Sequence, residues 1–333
     1  MNTLEIVILC GFLGSGKTTL LQDHLKDAHT SDTAVIINEV GQIDVDGAVV
    51  AAGGTVPSTL LSNGCVCCSL VSDLQTTIEG LQADRLTRDM SPFRRIIVEC
   101  SGLARPGPIV RSLQRLAIER LDVRVLATFD AVNGARWIDA HDEVAAQAAG
   151  AHAVVITKSD LVTDSDRSLT KDLVRALNPL ARIIDETDPR LRARHAFDAA
   201  DRAAPIVSID LCPANTESPI RLGHRAVKTL LVHLKPDIEW DQIANWLDDL
   251  ASFCGDRLLR LKGFVQPSDY AGPVLVQSVG TTFSEPRRMP AEAIKHHGLV
   301  LIVQGISAIR IREIDDAVTD QVKAVGFKPI WHV

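Results

Sequence analysis

The chain has 333 residues, enough for about two domains, and with 46% hydrophobic and 23% charged residues it has the composition of a globular protein with a large core. Lys and Arg number 35 against 42 Asp and Glu, a formal charge of -7, and aromatics make up only 4% with a single tyrosine. This excludes a disordered tail protein, gives the wrong sign for neutralising a phosphate backbone, and leaves few rings for stacking single-stranded bases, so nucleic acid is not an expected partner.

The opening Met-Asn-Thr-Leu-Glu has no basic region, and the apolar run Ile6–Cys10 passes at once into a glycine-rich stretch, so a secretory leader is not expected. No apolar run approaches the roughly 20 residues that cross a bilayer. The expectation is a cytoplasmic protein without membrane contact, whose seven cysteines read as buried residues, ligands or catalysts before disulfides. Short β-branched runs at Glu5–Cys10, Ala34–Asn38, Arg95–Cys100, Val123–Asp130, Ala153–Thr157 and Ile206–Asp210 alternate with helix-length segments. That alternation predicts an α/β fold, a doubly wound and mostly parallel sheet with helices on both faces. Loops at Gly11, Glu39, Ser101, Asp130 and Lys158 should then share the carboxyl edge where such sheets bind ligands.

From Asp185 to Asp201 the pattern turns irregular and arginine-rich, and Cys212–Pro219 reads as a linker, which puts a boundary near residue 222 and divides the chain into 1–222 and 223–333. Beyond it come runs at Arg225–Leu234, Arg257–Val265, Pro273–Gly280 and Leu299–Ile306, an amphipathic stretch Trp240–Cys254, and a last helix over Glu313–Val325. The order predicts a smaller α+β domain with helices on one face of a mostly antiparallel sheet. Trp240–Cys254 reads either as the cover of that sheet or as a docking face for a client.

Directly after the first run stands Gly11-Phe12-Leu13-Gly14-Ser15-Gly16-Lys17-Thr18, a complete G-x-x-x-x-G-K-[ST] phosphate loop that opens a helix at Thr19. Gly11, Gly14, Ser15 and Gly16 would turn backbone N–H groups toward phosphate oxygens, Lys17 would span the β and γ phosphates, and the Thr18 hydroxyl would complete a magnesium shell. Thr157-Lys158-Ser159-Asp160, after a buried run, looks like the N-K-x-D guanine signature with Thr157 in the asparagine place. Asp160 would accept from guanine N1 and N2, and Lys158 would lay its stem on the base. The alternative is a solvated strand end. Arg95–Glu99 runs into Glu99-Cys100-Ser101-Gly102, which would put a carboxylate beside magnesium or the attacking water and a glycine amide on the γ-phosphate. Glu39 and Asp46, in Asn38–Asp46, are a second acidic candidate beside the metal, against ordinary solvated acids.

Asn63-Gly64-Cys65-Val66-Cys67-Cys68 puts three thiols on one loop, expected between the second strand and a helix beginning near Ser72. C-x-C-C is too short for a closed zinc knuckle, so it supplies at most three thiolates and leaves one place open, suiting zinc, copper(I) or cobalt(II) over magnesium. A Cys67–Cys68 vicinal disulfide, a redox pair and inert packing are the alternatives. Cys10, Cys100, Cys212 and Cys254 read as small buried hydrophobes.

A phosphate loop, a C-x-C-C loop, Glu-x-x-Gly and [NT]-K-x-D in this order resemble the CobW-type family of metal-handling P-loop GTPases, of the SIMIBI class, over the whole chain. GFLGSGKTTLL, NGCVCCSL, ECSGLARPGPI and GDRLLRLKGFV are similar to its YjiA-like branch. The resemblance implies slow GTP hydrolysis and a metal bound by Cys65, Cys67 and Cys68. Two departures stand out: the family's N-E-F-G-E segment reads Asn38-Glu39-Val40-Gly41-Gln42, and its histidine-rich tract is absent, His296-His297 reading as a solvated pair.

The expectation is a GTPase with Lys17, Glu39, Glu99 and Gly102 in catalytic roles and GTP held by Gly11, Gly14, Ser15, Gly16, Lys17, Thr18, Thr19, Thr157, Lys158 and Asp160. Magnesium would be held by Thr18, Asp46 and Glu99. GTP state would set whether the cysteines hold zinc or cobalt for delivery to a metal-requiring client. A nucleotide-gated redox or interaction protein and a P-loop small-molecule kinase are the rival readings. A homodimer is an open partner, with Arg105, Arg111 and Arg115 as a solvated basic face or, across a dimer, an arginine finger.

Overall fold

The structure, a computed structural model, describes residues 3–27, 32–37, 58–60, 69–116, 120–198, 211–213, 227–290, 294 and 297–327. The chain divides into two compact units, residues 1–170 with 182–205, and 171–181 with 206–333.

β1 (Leu4–Gly11) is buried along its whole length. Its apolar run Ile6–Cys10 has no face to give to water, so the strand lies mid-sheet, covered on both sides. β4 (Arg95–Glu99) flanks it on one hand and β5 (Leu121–Asp130) on the other. With β2 (Thr33–Ile37), β3 (Ser58–Leu60), β6 (Ala153–Thr157) and β7 (Arg182–Ile184), the order is β3-β2-β4-β1-β5-β6-β7, every pair parallel. Between the strands run α1 (Lys17–Asp27), α2 (Ser69–Thr87), α3 (Pro106–Leu113), α4 (Gly134–Ala140), α5 (Asp142–Gly150), α6 (Asp164–Leu177) and α7 (Pro189–Phe197). The register aligns the carboxyl ends: Leu9 pairs with Glu99, Glu99 with Ile37, Ile37 with Leu60, Gly11 with Thr128, and Asp130 with Thr157. The expected parallel sheet is present, and the ligand loops leave one edge.

The sequence reading missed three elements here. β3 and β7 are three residues each, too short for an alternating or apolar run to register. The stretch read as irregular after Asp185 contains α7, where Asp188 accepts from the N–H groups of Arg190 and Leu191 at 2.9 Å and Pro189 opens the helix. Its arginines hid a stripe of Ala193, Ala196 and Phe197, all buried, with the Phe197 ring stacked 4.1 Å from His24. The helix expected near Ser72 begins at Ser69. The run Ile206–Asp210 and the boundary near 222 lie outside the described residues.

The second unit is an antiparallel sheet. β8 (Leu211–Pro213), β9 (Val227–Leu234), β10 (Leu258–Val265), β11 (Val274–Val279), β12 (Thr282–Phe283), β14 (Gly298–Gln304) and β15 (Thr319–Phe327) run in the order β12-β11-β10-β14-β9-β15-β8, and β13 (Arg287–Arg288) pairs with β11. α8 (Trp240–Cys254) has the bounds the sequence predicts and starts on a capping box between Glu239 and Gln242. Ile243, Trp246, Leu247, Leu250 and Cys254 recur on one face and are buried in one cluster with Leu230, Leu261, Val276 and Leu301 of the sheet. That face is therefore the sheet's cover, and the docking reading of the helix falls.

Two expectations are corrected. The last helix over Glu313–Val325 does not form: α9 (Ala308–Arg312) is a short helix and Thr319–Phe327 is a strand against β9. Val318 and Val325 are buried and Val322 is half-buried, a spacing that mimics a helix face in the sequence although the strand turns Val322 and Val325 to opposite faces. The linker read from Cys212 begins inside the sheet, because β8 pairs with β15 and Pro213 sits on an edge strand, where a missing N–H is tolerated.

Candidate functional site

The phosphate loop fills the turn from β1 into α1. Gly14 and Gly16 hold φ at 70° and 89°, values that side chains rarely adopt, which explains the glycines there. Lys17, nearly buried, donates from Nζ to the carbonyls of Gly11 and Phe12 at 3.0 and 3.2 Å, so the ammonium is folded over the loop it serves. The first turn of α1 carries no acidic residue, so the positive end of the helix dipole at the loop is undiminished. Thr19 is exposed in that turn. The Phe12 ring lies 5.2 Å from Trp137 and 4.6 Å from His141, wedging the loop from the α4 side.

Thr18 and Glu99 come together across 81 residues: Thr18 Oγ1 donates to Glu99 Oε1 at 2.6 Å, and Glu99 is 3% exposed. A hydroxyl and a buried carboxylate at the mouth of a phosphate loop are hard oxygen donors, the set that magnesium takes. Gly102 is pressed on the same loop: a Cβ there would stand 2.7 Å from the Leu13 nitrogen and 2.5 Å from its side chain. The segment after it is gripped from α5, where Gln147 Nε2 donates to the carbonyls of Gly102 and Ala104, each at 3.0 Å.

Thr157 stands at the end of β6, beside the phosphate loop. Its buried hydroxyl donates to Ser15 O at 2.7 Å and approaches Phe129 O at 3.2 Å, so it ties the end of β6 to the phosphate loop. Ser15 Oγ shares a 2.6 Å hydrogen bond with Thr128 Oγ1, a second tie from β5. Lys158 sits at φ 56° with Nζ on Asp130 Oδ2 at 2.6 Å. Asp160, on the turn Ser159–Leu161, is exposed and open to a ligand. Asp130 was named only as a strand end, yet it organises this corner: Oδ1 accepts from Val132 N and Asn133 N at 2.8 and 3.1 Å, and Oδ2 from Asn133 Nδ2 at 3.3 Å. Burial pushes its carboxyl up, but the bonds from Lys158, Asn133 and Val132 outweigh it and hold the pKa below the usual 3.8. The signal was readable as an Asp-x-x-Asn turn at the end of a buried strand.

Of the basic face, Arg111 and Arg115 are exposed, while Arg105 reaches Glu143 at 3.6 Å. Cys10, Cys100 and Cys254 are buried free thiols, as expected. Burial drives Cys10 to about 12, Cys254 to about 11 and Cys100 well up, leaving these groups as neutral thiols near neutrality. Cys65, Cys67, Cys68, Glu39, Asp46 and His296 lie outside the described residues, as does the side chain of Cys212; His297 is exposed. Among the described residues no three His, Cys, Asp or Glu side chains gather as a metal site, and no helix is long and apolar enough to cross a membrane.

Comparison with known proteins agrees with this geometry. The CobW/HypB/UreG nucleotide-binding domain matches residues 5–185, and the C-terminal domain of the cobalamin synthesis protein cobW matches residues 227–318. The zinc chaperone YjiA of Escherichia coli is 27% identical over 91% of this chain and 94% of its own length. The zinc chaperone CobW of a Sinorhizobium species is 27% identical over 95% and 96%. The crystal structure of Zn(II)-bound YjiA GTPase from E. coli superposes with a TM-score of 0.64 at 22% identity, covering 94% of this chain and 98% of that one. The chain belongs to the CobW/HypB/UreG family, and it is a P-loop GTPase with a CobW-type C-terminal domain.

Proposed function

We propose that the protein is a GTP-driven metallochaperone: it carries a transition metal, zinc foremost, on Cys65, Cys67 and Cys68 and hands it to a metal-requiring client when GTP is hydrolysed. The observation that carries this reading is a register. Leu60, the last residue of β3, lies level with Glu99 two strands away, roughly 10 Å, so the segment bearing the cysteines leaves the edge on which the phosphate loop and Glu99 stand. Cys68 immediately precedes α2, so the loop is bounded by a strand end and a helix start. A shift of a few ångströms at that edge on loss of a phosphate would reach both ends of it. The zinc-chaperone relatives support metal as the cargo, and the soft donors of the C-x-C-C loop support zinc or cobalt over magnesium.

In this reading Lys17 and the loop amides hold the β and γ phosphates, and Asp160 reads guanine. Thr18 and Glu99, joined by Asp46, hold a magnesium ion, which offsets charge on the phosphate oxygens. Gly102 senses the γ-phosphate, and Glu39 acts beside it. Cys67→Ala tests the proposal: GTP binding should stay within about twofold of wild type while cobalt(II) loses its thiolate absorption band. Retention of the band, or loss of GTP binding with it, counts against the assignment.

A further inference from the structure

The segment Gly102–Arg105 carries the glycine to which the proposed function, on which this inference rests, gives γ-phosphate sensing, and it lies in neither strand nor helix, between the end of β4 and Pro106 of α3. One face of α5 holds it. Gln147, 2% exposed, bonds two of its carbonyls, and Glu143, one turn earlier, reaches Arg105. Because both partners of Gln147 are carbonyl oxygens, the orientation of its amide is forced: the nitrogen faces the segment, and Oε1 is buried without a hydrogen-bond donor. The other buried residues of α5 are Val144, Ala145, Ala146, Ala148, Ala149 and Gly150.

α5 is also wired to the far side of the site. Only Ala151 and His152 separate it from β6. His152 is fixed to β5 on both sides, its N–H donating to Val125 O at 2.9 Å and its Nδ1 accepting from Val125 N at 3.0 Å. β6 ends in Thr157, whose hydroxyl holds Ser15 of the phosphate loop. The γ-phosphate segment and the base corner thus hang on one rigid helix–strand unit.

We propose that Gln147 is a positioning residue for GTP hydrolysis: its amide fixes the Gly102–Ala104 backbone against the phosphate loop, in the pose from which the Gly102 N–H distinguishes GTP from GDP. The proposal goes beyond metal delivery and does not depend on it, since its test needs no transition metal. Dissociation constants for GTPγS and GDP, kcat and the melting temperature are measured for the full chain and for Q147M, which keeps length and removes the donor. The preference for GTPγS over GDP and kcat should each fall about tenfold, with GDP affinity within about twofold of wild type. A lower melting temperature with preference and kcat unchanged, or equal losses for the two nucleotides, would overturn the proposal by reducing Gln147 to a structural residue. If Q147M does not fold, R105A decides: a fall of about threefold in preference supports the clamp, and a wild-type preference contradicts it.

Discussion

Thr157 stands where a guanine signature has asparagine, and its hydroxyl closes on Ser15 O of the phosphate loop. Thr157→Val strips that carbonyl of a buried donor, a loss of about 1–3 kcal/mol, so nucleotide affinity should fall by roughly tenfold or more in a fluorescent-nucleotide titration while the guanine preference survives. Gly102 makes a second residue-scale case. Leu13 N would stand 2.7 Å from an added Cβ, so Gly102→Ala must push the segment off the phosphate loop, and single-turnover hydrolysis should slow by at least about tenfold. His24 gives a pH prediction. Burial, helped by the charge of Arg95 and opposed by Glu5, lowers its pKa from 6.5 to about 4. The unfolded chain therefore binds that proton more tightly, so the stability from neutral His24 is complete above about pH 6.5 and is lost as pH falls toward 4, by at most roughly 3 kcal/mol. Urea midpoints should drop over that window, and His24→Phe, which keeps the stack on Phe197, should flatten the drop.

At the scale of elements, legibility followed the length and purity of the hydrophobic pattern. β1, β4, β5 and β6 were readable because a parallel strand buried on both faces is an unbroken apolar run, and α8 because its apolar spacing is strict and both ends are marked, by Glu239–Gln242 and by Gly255 at φ 53°. β3 and β7 left no such trace, and α7 was hidden by its three arginines, of which Arg190 and Arg194 face solvent. β15 was misread because Ile314, Val318, Val322 and Val325 repeat at helical spacing, whereas the first two lie before the strand and only pairing with β9 draws the last two into it. A prediction belongs here too: Trp246, 1% exposed at the centre of the α8 face, fills space between helix and sheet, so Trp246→Ala should cost about 3–5 kcal/mol in urea denaturation. A loss under about 1 kcal/mol would show that α8 does not hold that core.

For the whole molecule, the sequence declared the phosphate loop, Glu99, Gly102 and the Thr157–Asp160 turn by type and spacing. Their meeting at one edge followed from the βαβ order. Asp130 left a local trace in its Asp-x-x-Asn turn, whereas Gln147 and the Ser15–Thr128 tie were not legible, because each acts through a partner far along the chain, Gln147 reaching back 45 residues to Gly102 and Ser15 forward 113 to Thr128. The sequence also set the cysteine loop after the second strand, whereas β3 intervenes and brings its start level with Glu99. That register underlies the central claim, that nucleotide state sets the metal affinity of Cys65, Cys67 and Cys68. The most direct test is a cobalt(II) titration of the reduced protein, followed by thiolate-to-metal absorption with zinc competition, in magnesium with either GTPγS or GDP. The account predicts a thiolate band that forms about tenfold or more tighter with GTPγS, a coupling of about 1.4 kcal/mol. Equal affinity in the two nucleotide states would contradict it, leaving a GTPase whose cysteines are indifferent to the nucleotide.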